Sequence, residues 1–248
     1  MSFEFLAPDD VNAWDGDTPM QRSPIEWAHL DAGAKIGERA GWRVVSDYGA
    51  PDREQAACRT TVGIADLSCL GKFELQADQA TVASIVSALA GDATPGLGMA
   101  VGHESVWWCP VTAERVLAIT APERTKEIRT ALEEQASQAG FASVTEVTSA
   151  LGSNSVIGPM ARDAFARATA LDMRPASFPE RGFAPVSVAR TPGMVLREEG
   201  DRFLHLFGSG YAQYNWTVFV DAAQRLGGRA VGLDALRAAV TEGAPAGA

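Results

Sequence analysis

The stretch GKFELQADQATVASIVSALAG, residues 71–91, joins two different periodicities. GKFELQA (71–77) alternates apolar and polar side chains, the period-two pattern of a half-buried strand. QATVASIVSALAG (79–91) reads as a helix closed by glycine. Downstream, HESVWWCPV (103–111) and ERVLAIT (114–120) read as strands, PERTKEIRTALEEQASQAG (122–140) as a long amphipathic helix, and FASVTEVTS (141–149) as a further strand. The order β-α-β-β-α-β is the split βαβ, or ferredoxin-like, unit.

That order nearly recurs. NSVIG (154–158) is a strand and PMARDAFARATA (159–170) a helix. APVSVAR (184–190), GMVLRE (193–198) and RFLHLF (202–207) are strands, and YAQYNWTVFVDAAQRLG (211–227) is a helix. A last helix, GLDALRAAV (232–240), follows. The expectation is an α+β fold of two similar halves, about 70–149 and 150–240, with residues 23–69 packing on the second and a pocket at their junction. The Gly158-Pro159 corner could offer helix N–H groups to an anion. Pro159 removes one of those donors, so the corner is read as a chain turn.

Before the repeat, SPIE (23–26) suggests a capping box. Ser23 would be the N-cap and Glu26 would reach back, with Ile25, Ala28, Ala32 and Ile36 as the buried stripe. GWRVVSDYG (41–49) is read as a strand and DREQAACRTTVG (52–63) as a helix ending at Gly63. Residues 1–22 carry Phe3, Phe5, Leu6 and Trp14 among acids and prolines, an arm expected to pack on its own body or on a partner. Residues 241–248 read as a loose tail.

The net charge of −10 argues against nucleic acid and anionic membrane as partners, because both need clustered cations. No run approaches a membrane span, and the acidic, proline-broken start does not read as a secretory signal. Cys58, Cys69 and Cys109 form no C-x-x-C pair, which suits reduced thiols in a cytoplasm. His29, His103 and His205 are too dispersed for metal-ligand spacing.

Three stretches resemble the folate-binding family of the glycine-cleavage T-protein, which includes parts of the heterotetrameric sarcosine oxidases. In SPIEWAHLDAGAKIGERAGWRVVSDYG (23–49) and EQAACRTTVGIADLSCLGKFEL (54–75), the matching residues are His29, Gly33, Ala34, Gly41, Trp42, Arg59, Asp66 and Ser68. SVIGPMARDAFARATALD (155–172) resembles the family's strand, Gly-Pro, helix segment, and GGRAVGLDALRAAV (227–240) its Gly-Leu-x-Ala region. The family's paired aspartates have no counterpart in GHESVWWCPVTAERVLAIT (102–120). Its pterin-gripping Glu segment meets REEGDRFLHLF (197–207) out of register. The chain also stops where T-proteins begin a C-terminal β-barrel. These departures resemble the gamma subunit of sarcosine oxidase.

The resemblance implies tetrahydrofolate as cofactor, held here or in a partner subunit. Candidate pterin-edge carboxylates are Glu198 and Glu199, with Arg197 for a glutamate tail. The alternative is a solvated charged turn. Trp107 and Trp108 point to opposite strand faces, so at most one is in the core and the other would stack on a ring or a partner. Glu104 and Glu199 are the acids that could replace the missing aspartate. Asp66 and Ser68 read as a turn and cap, and His205 as a hydrogen-bonded core or interface histidine. The chain has no G-x-G-x-x-G after a strand, hence no flavin motif of its own.

Two functions follow from the resemblance. One is a gamma-like subunit, bound to larger flavin- and folate-binding oxidase subunits, in the demethylation of N-methyl amines. The other is an autonomous tetrahydrofolate-dependent aminomethyl or methyl transferase, with a folate-binding regulator as a third form.

Overall fold

A computed structural model describes residues 20–243 of the chain. Residues 1–19 of the expected arm and 244–248 of the expected tail lie outside the described residues.

The opening segment forms β1 (Gln21–Arg22), α1 (Glu26–Asp31), β2 (Lys35–Arg39) and β3 (Trp42–Asp47), a small sheet ordered β1-β3-β2. The helix is shorter than its sequence suggests. Ile36 lies on β2, and the N-cap is Ile25, which has no side-chain cap. The capping box fails for a physical reason: the Ser23 hydroxyl is taken by Asp66, and Glu26 pairs with Arg43 at 2.8 Å. Helix α2 (Pro51–Thr60) and strand β4 (Gly63–Asp66) follow.

The first half is β5 (Gly71–Ala77), α3 (Gln79–Leu89), β6 (Val101–His103), β7 (Val106–Thr112), β8 (Arg115–Thr120), α4 (Thr125–Gln138) and β9 (Ala142–Glu146). Asp78 caps α3 by accepting from the Ala80 and Thr81 N–H groups. The sheet order β6-β7-β8-β5-β9 is the expected split βαβ arrangement with β6 added at one edge. Its helix-covered face buries Phe73, Leu75, Ile85, Trp108, Val116 and Leu132.

The second half is β10 (Leu151–Ile157), α5 (Ala161–Ala166), β11 (Phe183–Val188), β12 (Thr191–Arg197), β13 (Arg202–Gly208), α6 (Ala212–Arg225), β14 (Arg229–Ala230) and α7 (Leu233–Gly243). Its sheet order is β11-β12-β13-β10-β4-β14. Strand β4, from before the repeat, occupies the place beside β10, and β14 pairs with β4 in parallel. The internal duplication is therefore imperfect: β4 stands between β10 and β14, so the strand after α6 lies one place further out than β9 does in the first half.

The face of the first sheet turned away from α3 and α4 and the face of the second turned away from α5 and α6 meet in a shared core, which residues of α2 and α7 also enter. Cys109, Leu117 and Ile119 of the first half pack with Ala65, Leu196, Leu204 and Leu206 of the second. Each fully buried leucine or isoleucine there contributes about 2 kcal/mol. The α+β architecture of two halves is the one read from the sequence, and no sheet closes into a barrel among the described residues. Gly158 has φ +121°, and a Cβ there would lie 2.6 Å from the Thr61 carbonyl oxygen, so the Gly-Pro corner needs glycine for close backbone contact.

Candidate functional site

Where the inter-sheet core opens, a cleft of about 430 Å³ lies between β7 and β8 on one side, β10 and β13 on the other, and α7 across it. Its apolar wall comes from Leu67, Leu70, Ile119, Leu204, Leu233 and Leu236. Polar groups enter from Trp107, Thr120, Ser155, Glu198 and Arg202. The volume falls within the usual range for small-molecule sites.

Strand alternation explains this lining. Ser155 and Leu204 are register partners on β10 and β13, so both project from the face opposite α6. Thr120 Oγ1 and Ser155 Oγ are buried without a hydrogen-bond partner. Buried hydroxyls of that kind carry a cost unless something bonds them. Arg202 Nε is 2.8 Å from Glu198 Oε2 but off the hydrogen-bond direction, so the ion pair holds while that N–H remains unpaired. Burial pushes the Glu198 carboxyl up, partly opposed by Arg202 and the Trp107 indole. The cleft thus joins an apolar wall, an indole, a desolvated carboxyl and two unpaired hydroxyls, a set that suits a flat heterocycle with a polar edge.

Glu198 and Trp107 are brought together in this cleft, and the other candidates from the sequence are not. Trp108 is 1% exposed in the helix-covered core of the first half, so its ring is core and not a stacking platform. Arg197 is buried, and its guanidinium donates to the Phe178 carbonyl at 3.1 Å, which ties it to the chain rather than to a ligand tail. Glu199 is exposed and lines a separate surface depression with Arg59, Gly158 and Asp201. Glu104 is 69% exposed in the β6–β7 turn beside Arg124, outside the cleft lining. Sequence reasoning missed Arg202, Ser155 and Thr120, whose only signal was their place on strands flanking the junction.

Beneath α6 a second polar cluster is built around His29. Its Nε2 donates to Asp66 Oδ2 at 2.9 Å, and its Nδ1 lies 2.9 Å from the Tyr48 hydroxyl. Asp66 also accepts from the Ser23 hydroxyl and, at 2.8 Å, from the Ser68 N–H. Burial alone would raise the Asp66 carboxyl, but these donors hold it below the usual range. Asp66 is thus more than a turn residue: it fastens α1 to the second sheet. Glu54, fully buried, accepts from the Tyr48 N–H at 2.8 Å and the Gly232 N–H at 2.9 Å, joining β3 to the start of α7. The void beside the His29 cluster is only about 10 Å³, too small for an organic ligand. Its role is structural.

Lys72 is also sealed: its amine donates to the Ser68 and Leu70 carbonyls, and burial lowers it to about 8. His205 is buried with both ring nitrogens unpaired, which corrects the expectation of a hydrogen-bonded histidine, and desolvation lowers it to about 3. The three cysteines are buried, free and pushed up by burial, so none is poised as a nucleophile. Among the described residues no cluster could hold a metal ion, and no helix is long and apolar enough to cross a membrane.

No family model matches the chain. It is 34% identical over 64 residues to the aminomethyltransferase of Deinococcus deserti, covering 26% of this chain and 18% of that protein. To the aminomethyltransferase of a Picosynechococcus strain it is 39% identical over 56 residues, 23% of this chain and 15% of that one. The matches thus span less than a fifth of the curated relatives' length. In structure, the glycine cleavage system aminomethyltransferase T from Bartonella henselae superposes with a TM-score of 0.70 at 20% identity, over 87% of this chain and 60% of that chain. A chain of the heterotetrameric sarcosine oxidase from a Corynebacterium superposes with a TM-score of 0.62 at 16% identity, over 72% of this chain and 93% of that chain. The chain has the fold of the glycine cleavage T protein and of a sarcosine oxidase subunit, and a limited stretch of its sequence is aminomethyltransferase-like.

Proposed function

We propose that the chain is a gamma-like subunit of a sarcosine-oxidase-type complex. In this reading it offers a reduced folate site during the demethylation of N-methyl amines, with larger flavin- and folate-binding subunits as partners. The observation that carries the folate half of this reading is the cleft in which Glu198, Trp107 and Arg202 meet beneath an apolar wall. A pterin's amide edge needs an acceptor beside a donor, and its bicyclic ring needs a flat apolar neighbour. Glu198 would accept from the ring N–H groups, Trp107 would stack, and the Ser155 and Thr120 hydroxyls would find partners on the ring. The bound folate would supply the nucleophilic nitrogen that takes up the one-carbon unit. This chain's residues would orient it and keep water out. Support for the subunit half is the extent of the sarcosine oxidase likeness, 93% of that chain.

Titration calorimetry with tetrahydrofolate tests the first half, with micromolar binding expected. Absence of heat at millimolar ligand overturns it. Isolation of the native complex tests the second: larger flavoprotein subunits are expected to co-purify, and a monomer that turns over alone overturns the subunit role.

Autonomous aminomethyl transfer is the second reading, favoured by the local identity to aminomethyltransferases. It would need Glu198 to take the part of the missing aspartate, since Glu104 lies outside the cleft lining.

A further inference from the structure

An edge strand exposes a row of backbone N–H and C=O groups, and folds usually blunt such edges. Most sheet edges among the described residues are blunted. Strands β1 and β14 are two residues long and β6 is three, β2 has a bulge at Lys35/Ile36, and β11 carries Pro185. Strand β9, at the outer edge of the first sheet, has none of these devices. ASVTE (142–146) contains neither proline nor lysine, and its ladder with β5 runs without a register shift. In the second half the matching place beside β10 is held by β4, whose own outer edge is paired by β14. The corresponding edge of β9 bonds no other element among the described residues.

The phase of β9 follows from its neighbours. The Val147 N–H donates to the Lys72 carbonyl at 2.8 Å, so Ser143 and Thr145 bond β5 and the backbone groups of Ala142, Val144 and Glu146 turn outward. These outward groups are self-complementary. A two-fold axis at Val144 sets Val144 against Val144 and Ala142 against Glu146, and every outward N–H and C=O of these residues then finds a partner. Charge fits as well: Glu146 is already paired with Arg129 and would meet alanine, not a second glutamate. On the other strand face Ser143 would stand opposite Thr145, and Phe141, 90% exposed, opposite Val147. The exposed phenyl ring thereby gains an apolar neighbour.

We propose that two copies of this chain pair through β9, antiparallel and centred on Val144, so that one continuous sheet spans both. None of these residues lines the Glu198 cleft, and the pairing is independent of the folate reading.

Analytical ultracentrifugation of the full chain tests this. A dimer that dissociates on dilution, with a Kd of about 10 µM, is expected of so small an interface. Ser143→Lys with Thr145→Lys places lysines opposite lysines across the axis at exposed positions. It should weaken the dimer at least about ten-fold with an unchanged melting temperature. Ser143→Glu with Thr145→Glu should do the same, and an equimolar mixture of the two double variants should recover the dimer. Val144→Pro removes an outward N–H and no bond to β5, and should leave monomer alone. Should that variant fail to fold, the lysine and glutamate pairs decide. A parent chain that stays monomeric at about 200 µM overturns the pairing, whether the edge is free or held by residues 1–19 or a partner subunit. A dimer that both double variants leave intact, or that their mixture does not recover, overturns it too.

Discussion

His29 and Asp66 form a buried pair, 1% and 5% exposed at their side chains, that locks α1 against β4. A separation of 37 residues in sequence makes the pair a long-range clasp. Asp66→Ala removes the acceptor of three donors and is expected to destabilise the fold by about 3 kcal/mol in denaturant titration. Tyr48→Phe, which removes only the outer hydroxyl, should cost about 1 kcal/mol. The pair also carries a pH signature. The Asp66 carboxyl is held below its unfolded value, so its contribution is present above the ordinary carboxylate range and is lost as pH falls through the folded value. An Asp66→Ala effect of equal size at pH 7 and pH 2 contradicts this role.

His205 should give a separate acid sensitivity. Its folded value of about 3 lies below the ordinary 6.5, so the unfolded chain binds the extra proton between those limits. Stability is therefore lost as pH falls from about 6.5 toward 3, at up to about 1.4 kcal/mol per pH unit. His205→Leu keeps the apolar packing against Phe165, Phe207 and Phe219 and removes the titrating ring. Chemical denaturation across this range should show the variant gaining on the parent as the solution is acidified. Parallel pH profiles refute the assignment.

The adjacent tryptophans should separate folding from binding. Trp108→Ala empties a sealed core position and is expected to cost about 3–5 kcal/mol of stability. Trp107→Leu keeps an apolar side chain in the cleft wall. It should weaken folinic acid binding about ten-fold while leaving the denaturation midpoint nearly unchanged. The opposite pattern, binding intact and the fold lost, removes Trp107 from the site.

Much of the fold is legible because its periodicities are clean. GKFELQA shows its strand, and the helix after it ends where a glycine permits a left-handed turn. The opening segment is less legible. SPIE has the spacing of a capping box, but local spacing does not reveal that Asp66 claims the Ser23 hydroxyl from 43 residues away. Glu54 is similarly hidden: in a polar-looking helix it is a fully buried acceptor for the backbone N–H groups of Tyr48, Ala50 and Gly232. For the cleft, residue type suggested Glu198, Glu199 and Arg197 alike. Only strand register and the β12–β13 turn decide that Glu198 faces inward, Glu199 outward and Arg197 toward the Phe178 carbonyl.

The Gly158-Pro159 corner should resist substitution at its buried glycine, although Pro159 beside it is exposed. At φ +121° an alanine is strained, and its Cβ would meet the carbonyl oxygens of Thr61 and Cys58 at 2.6 and 2.8 Å. Neither is the movable end of a side chain. Gly158→Ala is expected to cost about 3 kcal/mol, measured by thermal or chemical unfolding. A loss below about 0.5 kcal/mol shows that the corner relaxes.

Glu198→Gln isolates the charge of the cleft carboxyl with little change of shape. Burial raises this group, so the carboxylate that a pterin edge needs is depleted as pH falls through a value above the ordinary 4.5. Folinic acid affinity for the parent chain should therefore decline on acidification, beginning at a higher pH than an exposed glutamate would give. The glutamine variant should bind about ten-fold more weakly at neutral pH, and its affinity should lack that acid limb. Its fold should lose only a little stability, because the neutral amide avoids the burial cost that raises the carboxyl, and this offsets the lost ion pair with Arg202. Parallel binding curves for parent and variant across pH 4 to 8 place the acid limb elsewhere and take Glu198 out of pterin recognition.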